Sequence, residues 1–257
     1  MAAERVFALA AHPDDIEFMM SGTLFLLKEQ GLEIHYMNLA DGSCGSAEMD
    51  PDQTVRVREQ EARNAAAYLG AVYHPPLAVD LEITYNIPLL KKTAAVFRDI
   101  KPDILLLQSP QDYMEDHINT VRIGVTAAFS RGMPNFSTDP EHTPVPGDAA
   151  VYHAQPYGLR GPLGEMIVPH FFVDVEKVME RRIEMLAMHR SQKEWLDRSQ
   201  GMDSYLQISR DFCRETGEQS GRFTYAEGWR RRNPLGFSGS GTDPLQEVLG
   251  DYVFTPE

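Results

Sequence analysis

The strongest constraint on the fold is a junction between a short apolar segment and a polar turn. Residues 5–11 are apolar after Arg5, which is typical of a buried strand in a parallel sheet. His12-Pro13-Asp14-Asp15 follows at once, and apolar residues then recur at helical spacing until Gly31 ends the predicted helix. Because open α/β sheets bind ligands at the carboxyl ends of their strands, this junction predicts a ligand-binding edge.

Strand and helix patterns alternate through the first half of the chain. Glu33 to Leu39 reads as a second strand, and 87–100 as a helix with a proline in its first turn. Ile104 to Leu107 reads as a buried strand that leads into a second polar loop, 108–117. This alternation predicts an α/β fold with a mostly parallel, doubly wound sheet flanked by helices.

We expect one domain rather than two. Residues 131–169 are rich in proline and glycine, and a connection this long is usually functional, so we interpret it as a substrate-side loop region. The predicted division is an α/β domain over residues 1–228 and a C-terminal tail over 229–257.

Charge and cysteine content narrow the class of protein. The chain has 257 residues and a formal net charge of -14, which disfavours nucleic acid or an anionic membrane as its partner. We expect no signal peptide and no transmembrane segment. Cys44 and Cys213 are far apart, so we expect reduced thiols and a cytoplasmic protein. Cys44 is either an active-site thiol or, as we favour, a small residue in a tight loop.

Two strand exits carry side chains that suit a metal ion. His12 and Asp15 are three residues apart across a stiffened turn, and His117 at the second exit can supply a third ligand. Two imidazoles and one carboxylate with open positions are typical of a catalytic zinc site. Asp14 is then placed to take a proton from the attacking water. The alternative is that an aspartate only caps the helix and His12 is a hydrogen-bonded turn residue.

The segment 11–17, Ala-His-Pro-Asp-Asp-Ile-Glu, resembles the signature of the PIG-L / LmbE-like N-deacetylases, zinc enzymes that remove acetyl from N-acetylglucosamine-containing molecules. Other stretches support the resemblance along most of the chain: Ser21-Gly22-Thr23-Leu24, Asn38 to Gly42, Arg58 to Glu61, Leu69-Gly70, Pro102-Asp103, His189 to Gln192 and Tyr225-Ala226-Glu227. The resemblance implies a Rossmann-like fold, one zinc on His12, Asp15 and His117, and Asp14 as general base. Other divalent metals also suit this ligand set.

One position departs from the family. The family pattern His-Pro-Asp-His reads Met114-Glu115-Asp116-His117 here, so the leading histidine, a general acid or oxyanion stabiliser, is replaced by a thioether. Either a group from elsewhere takes its place, or Asp14 also returns the proton to the leaving amine. We favour Asp14 in both steps. The side chains that offer a substitute are His153, His170, His189 and Tyr113.

Three further residues are candidates for substrate binding. Arg58 resembles a family arginine that faces the substrate, although an ion pair with Glu61 on the helix surface fits equally well. Asp41 either binds sugar hydroxyls or closes a turn. Tyr113 lies in the loop that carries His117 and completes the predicted substrate-binding set.

These features favour a zinc-dependent amidase that attacks the amide of an N-acetylglucosamine-type sugar or conjugate with zinc-bound water. A catalytically weak or inactive metal- and carbohydrate-binding protein is the first alternative, motivated by Met114. An Fe(II) oxygenase that uses the same two-histidine, one-carboxylate set is the second. The expected partner is a small amino-sugar conjugate, with a homo-oligomer as a further expectation from the family.

Overall fold

The computed structural model describes residues 3–200, 205–239 and 241–256, with the backbone alone for 197–200. The predicted division at residue 228 also includes residues 1, 2, 201–204, 240 and 257, which lie outside the described residues. The strands are β1 (Arg5–Ala10), β2 (Glu33–Asn38), β3 (Val72–His74), β4 (Ile104–Leu107), β5 (Ala150–Ala154), β6 (Phe171–Asp174), β7 (Ala226–Arg231) and β8 (Val253–Phe254). They form one sheet in the order β3-β2-β1-β4-β5-β7-β6-β8.

Helices cover both faces of this sheet. They are α1 (Asp15–Met19), α2 (Ser21–Glu29), α3 (Pro51–Leu69), α4 (Ile87–Ile100), α5 (Glu115–Ser130), α6 (Met179–Leu186), α7 (Arg190–Gln200), α8 (Tyr205–Ser220) and α9 (Pro244–Leu249). Val6 and Ala8 of β1 pack in one core with α1, α2, α3, α6 and α8, whereas Phe7 and Leu9 pack in a second core with α4 and α5. The predicted α/β fold is therefore confirmed. Among the described residues, no helix is both long enough and apolar enough to cross a membrane.

The sheet has a parallel and an antiparallel part. Strand β1 pairs in parallel with β2 and β4, β2 with β3, and β4 with β5. Strands β7, β6 and β8 then add antiparallel pairs. Strand β7 runs through residues 228 and 229, and its Trp229 is fully buried, so sheet and core continue into the predicted tail.

The predicted helix up to Gly31 is two helices. The backbone of Met20 is not helical, and α2 begins directly after it. The N–H groups of Gly22 and Thr23 donate to the two carboxylate oxygens of Glu227 on β7, each at 2.8 Å. A carboxylate from a distant strand thus binds the free N–H groups at the start of α2, which explains the break.

Residues 131–169 lie in three different parts of the structure. Their first part lies against α4, where Arg98 donates to the backbone carbonyls of Met133 and Phe136. Their middle part forms strand β5 of the sheet. Tyr157, from the last part, lines the pocket described below.

Candidate active site

The two predicted strand exits meet at one edge of the sheet. Strands β1 and β4 are parallel neighbours, with Leu9 opposite Leu107, so the chain leaves both strands at the same end. His12 lies two residues beyond β1, and His117 lies in the first turn of α5 after β4. The topology therefore brings the two imidazoles together at the carboxyl edge, where open α/β sheets bind their ligands.

His12, Asp15 and His117 form a compact donor set. The Nδ1 atom of His12 lies 3.3 Å from Nε2 of His117, and Oδ2 of Asp15 lies 3.5 Å from each of these nitrogens. Ligands at zinc bond lengths of about 2.0 to 2.1 Å in tetrahedral geometry lie about 3.3 Å apart. Burial raises the pKa of Asp15, but the imidazoles of His117 and His12 outweigh it and hold the pKa below its usual value. The three residues therefore fit a tetrahedral metal ion.

Carboxylates surround the outer nitrogens of both imidazoles. The Nε2 atom of His12 lies 3.1 Å from Oδ2 of Asp116 and 3.2 Å from Oδ1 of Asp80. On the other ring, Nδ1 of His117 lies 2.9 Å from Oδ1 of Asp112. Such partners fix the orientation of metal-binding histidines and make them better ligands. His12, Asp80 and Asp116 also form a second group of donor atoms that shares His12 with the first.

The turn that carries the site is held under backbone strain. Asp14 precedes α1 with φ at 106°, a conformation that non-glycine residues seldom adopt. Two contacts hold it: the N–H of His12 donates to Oδ2 of Asp15 at 2.7 Å, and Asn38 donates to the carbonyl of His12 at 2.6 Å. Strain that the surroundings enforce is a common feature of active sites.

Asp14 has the surroundings of a proton acceptor. Its side chain is buried, and Oδ2 accepts a hydrogen bond from the hydroxyl of Tyr205 at 2.6 Å. Burial raises the pKa of Asp14 to about 6, with Arg58 opposing the shift and Asp15 adding to it. A carboxyl group with this pKa can take up and release a proton near neutral pH, as a general base requires.

Arg58 on α3 is buried beside this turn. It donates to the carbonyls of Pro13 at 2.7 Å and Gly42 at 3.0 Å, and its guanidinium lies 3.9 Å from Asp14. The alternative pairing with Glu61 is not formed, because the Glu61 carboxylate instead accepts from the N–H and hydroxyl of Ser191. Arg58 therefore joins the turn that carries Asp14 to the loop after β2 through hydrogen bonds.

A cavity of about 260 Å³ opens over the donor set. Its lining includes the polar side chains of Asp14 and Arg58 and the side chains of Tyr113 and Met114. Asp41 is not part of this lining. Its carboxylate accepts from the N–H groups of Ser43 and Asp80, which favours the alternative that it closes a turn.

The cavity lining also shows which candidate side chains are placed to replace the family histidine at Met114. His189 is fully buried and lies 3.2 Å from Glu17, while His153 lies 3.0 Å from the carbonyl of Gln108. Neither lines the cavity, nor does His170. Cys44 does line it, but burial and the nearby Asp80 raise the pKa of its thiol, so it stays protonated.

Sequence reasoning missed four residues of this arrangement. Asp112 and Asp116 stand in the loop that was singled out for His117, so their proximity to a ligand was an available signal. Asp80 and Tyr205 carried no such signal, because neither belongs to a motif. Asp80 lies in the loop after β3, and Tyr205 lies on α8.

The fold and the site define an α/β protein with a two-histidine, one-aspartate donor set at the carboxyl edge of its sheet. Residues 7–128 match the family model described as PIG-L: GlcNAc-PI de-N-acetylase, and they contain His12, Asp15 and His117. This segment, just under half of the chain, is similar to the PIG-L family. The predicted resemblance to PIG-L / LmbE-like proteins is therefore confirmed.

Individual relatives agree with this assignment. The chain is 28% identical over 197 residues to diacetylchitobiose deacetylase of Thermococcus kodakarensis, covering 74% of this chain and 70% of the relative. The structure of N,N'-diacetylchitobiose deacetylase from Pyrococcus horikoshii, complexed with its inhibitor MPG, has a TM-score of 0.77 at 23% identity and covers 95% of this chain and 89% of its own. The 4-carboxy-2-hydroxymuconate hydratase GalB from Pseudomonas putida has a TM-score of 0.72 at 21% identity, with coverage of 90% and 97%. The two structural matches establish a shared fold, which serves both a deacetylase and a hydratase.

Proposed function

We propose that this chain is a zinc-dependent N-deacetylase that hydrolyses the amide of an N-acetylglucosamine-type sugar or conjugate. The observation that carries the proposal is the donor set of His12, Asp15 and His117 at tetrahedral spacing beside a buried Asp14. One relative is a diacetylchitobiose deacetylase, which supports amide hydrolysis over the hydratase reaction of GalB. Fold alone does not decide between these reactions.

Each residue has a role that follows from its position. His12, Asp15 and His117 would hold the ion, which when bound lowers the pKa of water and polarises a carbonyl oxygen. Asp14 takes a proton from the attacking water. Arg58 holds the turn that carries Asp14 and presents a guanidinium to the cavity, where a sugar hydroxyl can accept from it.

The leaving amine then needs a proton, and Met114 cannot donate one. Tyr113 lines the same cavity, but partial desolvation of its hydroxyl and the nearby Asp15 raise the pKa of that hydroxyl, which makes it a poor acid. Asp14 has become protonated in the first step and has a pKa of about 6. We assign the second proton transfer to Asp14 as well.

Two unpaired cysteines, Cys44 and Cys213, fit a reducing compartment, and we propose a cytoplasmic location. The net charge of -14 supports a small amino-sugar conjugate rather than nucleic acid as the partner. Assembly into a homo-oligomer stays a prediction.

The test uses the full chain loaded with zinc and assays free amine released from N-acetylglucosamine and its conjugates. We expect turnover that Asp14→Asn reduces by at least about a hundredfold while bound zinc, measured by elemental analysis, is unchanged. Glu180→Gln, on the exposed face of α6, is the matched control. Zinc binding without amine release would favour the inactive binding protein, and iron binding with oxygen consumption would favour the oxygenase.

A further inference from the structure

We propose that the substrate carries an apolar alkyl or aryl group close to its scissile amide, and that an apolar wall formed by Leu81, Tyr113 and Met114 binds this group. The proposal rests on the proposed function and adds the chemical class of the substrate. All three side chains line the cavity over the donor set.

The backbone conformation and the exposure of Leu81 call for an explanation. Its φ is 63°, a left-handed conformation that leucine seldom adopts and that glycine or asparagine adopts readily. Its side chain is nevertheless 65% exposed, so the leucine contributes little to the buried core. A strained backbone that presents an apolar side chain to a cavity points to a ligand rather than to folding.

The backbone of Leu81 is fixed close to the donor set. Its N–H donates to Oδ2 of Asp116 at 2.8 Å, and the same oxygen lies 3.1 Å from Nε2 of His12. One carboxylate therefore separates the backbone of Leu81 from a candidate metal ligand. A group that contacts the Leu81 side chain can therefore be part of the same molecule as an amide at the donor set.

Tyr113 and Met114 extend the same surface. Tyr113 is 57% exposed. Its ring and the imidazole of His117 pack edge to face, with ring centroids 5.8 Å apart. Met114 places a thioether at the position where the family carries a polar imidazole. The wall thus consists of three apolar side chains that line the cavity over the donor set, and such a lining suits hydrocarbon better than sugar hydroxyls.

The hydrocarbon can come from the acyl group or from the aglycone, and two substrate series separate these sources. The first is N-acetyl-, N-butanoyl- and N-hexanoylglucosamine; the second is methyl, butyl and hexyl glycosides of N-acetylglucosamine. Burial of a methylene group contributes up to about fourfold, so partial burial predicts about a tenfold rise in kcat/KM along one series. Flat or falling values in both series would overturn the proposal.

Leu81→Asn tests the wall itself, because asparagine tolerates the left-handed backbone and removes the apolar surface. We expect the ratio of kcat/KM for the longest and shortest members of the responsive series to fall to about twofold or less. Leu235→Asn changes a leucine that is 80% exposed and lies outside this cavity, and it should leave the ratio as in the wild type. An unchanged ratio in Leu81→Asn would overturn the proposal.

Binding measurements separate this proposal from the proposed function. Calorimetry on the zinc-loaded protein compares methyl and hexyl glucosaminides, and glucosamine with N-hexanoylglucosamine. Tighter binding of a long-chain member that Leu81→Asn abolishes, without hydrolysis of any amide, supports the wall and overturns the deacetylase. Hydrolysis with no chain-length preference in turnover or binding overturns the wall alone.

Discussion

At the residue scale, the hydroxyl of Tyr205 fixes one oxygen of Asp14. The two residues are 191 positions apart, and Tyr205 is fully buried. Burial and the Asp14 carboxylate raise the pKa of the Tyr205 hydroxyl well above its usual value, so the hydroxyl remains a donor. This hydrogen bond orients Asp14, and Tyr205 itself does not line the cavity.

We therefore expect Tyr205→Phe to lower kcat about 10- to 150-fold, since a hydrogen bond to a charged group contributes about 1.5 to 3 kcal/mol. KM and zinc content should stay within about twofold of the wild type. Steady-state kinetics and elemental analysis check this, with Tyr252→Phe, a half-buried tyrosine outside the cavity, as the control. A wild-type kcat would show that Asp14 is oriented by other contacts.

Asp112 supports a candidate ligand in a different way. Its Oδ1 atom lies 2.9 Å from Nδ1 of His117 and also accepts from the N–H of Met114 at 3.1 Å. Asp112→Asn removes the charge that favours the metal-binding form of His117. We expect zinc affinity to fall about 10- to 100-fold in chelator competition, with activity restored by excess zinc. Asp211→Asn, on the exposed face of α8, should change neither quantity.

The residues of the site differ in how far the sequence alone could locate them. His12, Asp14 and Asp15 share one turn, and His117 follows a parallel neighbouring strand. Periodicity and topology were therefore enough to predict that these side chains lie at the same edge of the sheet. Tyr205 reaches Asp14 only through the packing of α8 on α1. Contacts of that kind depend on tertiary packing and leave no spacing pattern in the sequence.

At the element scale, Glu227 on β7 joins three elements. Its carboxylate accepts from two N–H groups at the start of α2 and from Nε of Arg182 on α6 at 3.0 Å. Glu227 and Arg182 are both almost fully buried. A buried ion pair of this kind is costly to break from one side, because the remaining charge has no compensation.

We expect Glu227→Gln to lower the free energy of unfolding by about 3 to 5 kcal/mol, because it leaves the Arg182 guanidinium buried without its counter-charge. Urea unfolding followed by circular dichroism measures this change. Glu180→Gln, which removes an exposed partner of Arg210, should leave the unfolding midpoint unchanged. A midpoint for Glu227→Gln close to the wild type would show that another group compensates Arg182.

Helices and strands with clear periodicity were predicted from the sequence, whereas two features were not. Strand β7 carries charged residues at Glu227, Arg230 and Arg231, so its sequence lacks the apolar pattern of a strand between two others. The break at Met20 was hidden because apolar residues continue on both sides of it. Glu227 connects the two features, because it lies on β7 and its carboxylate binds the N–H groups at the start of α2.

At the scale of the whole molecule, carboxylates crowd one edge of the sheet in a chain that already has a net charge of -14. Asp15, Asp80, Asp112 and Asp116 each have an oxygen within 3.5 Å of an imidazole nitrogen of His12 or His117, and Asp14 lines the cavity over them. A cation that binds this folded donor set but not the unfolded chain shifts the equilibrium towards the folded state. Metal binding should therefore stabilise the entire fold as well as the site.

Zinc at a hundred times its dissociation constant should stabilise the native state by about 2.7 kcal/mol, which for a chain of this size raises Tm by about 5 to 10 °C. Differential scanning calorimetry with chelator and with zinc measures the shift. Asp15→Ala should lose it, because a ligand is removed, whereas Asp14→Asn should keep it while losing turnover. An equal shift in Asp15→Ala would place the ion elsewhere, at the second donor group of His12, Asp80 and Asp116. A lost shift in Asp14→Asn would make Asp14 a ligand rather than the general base.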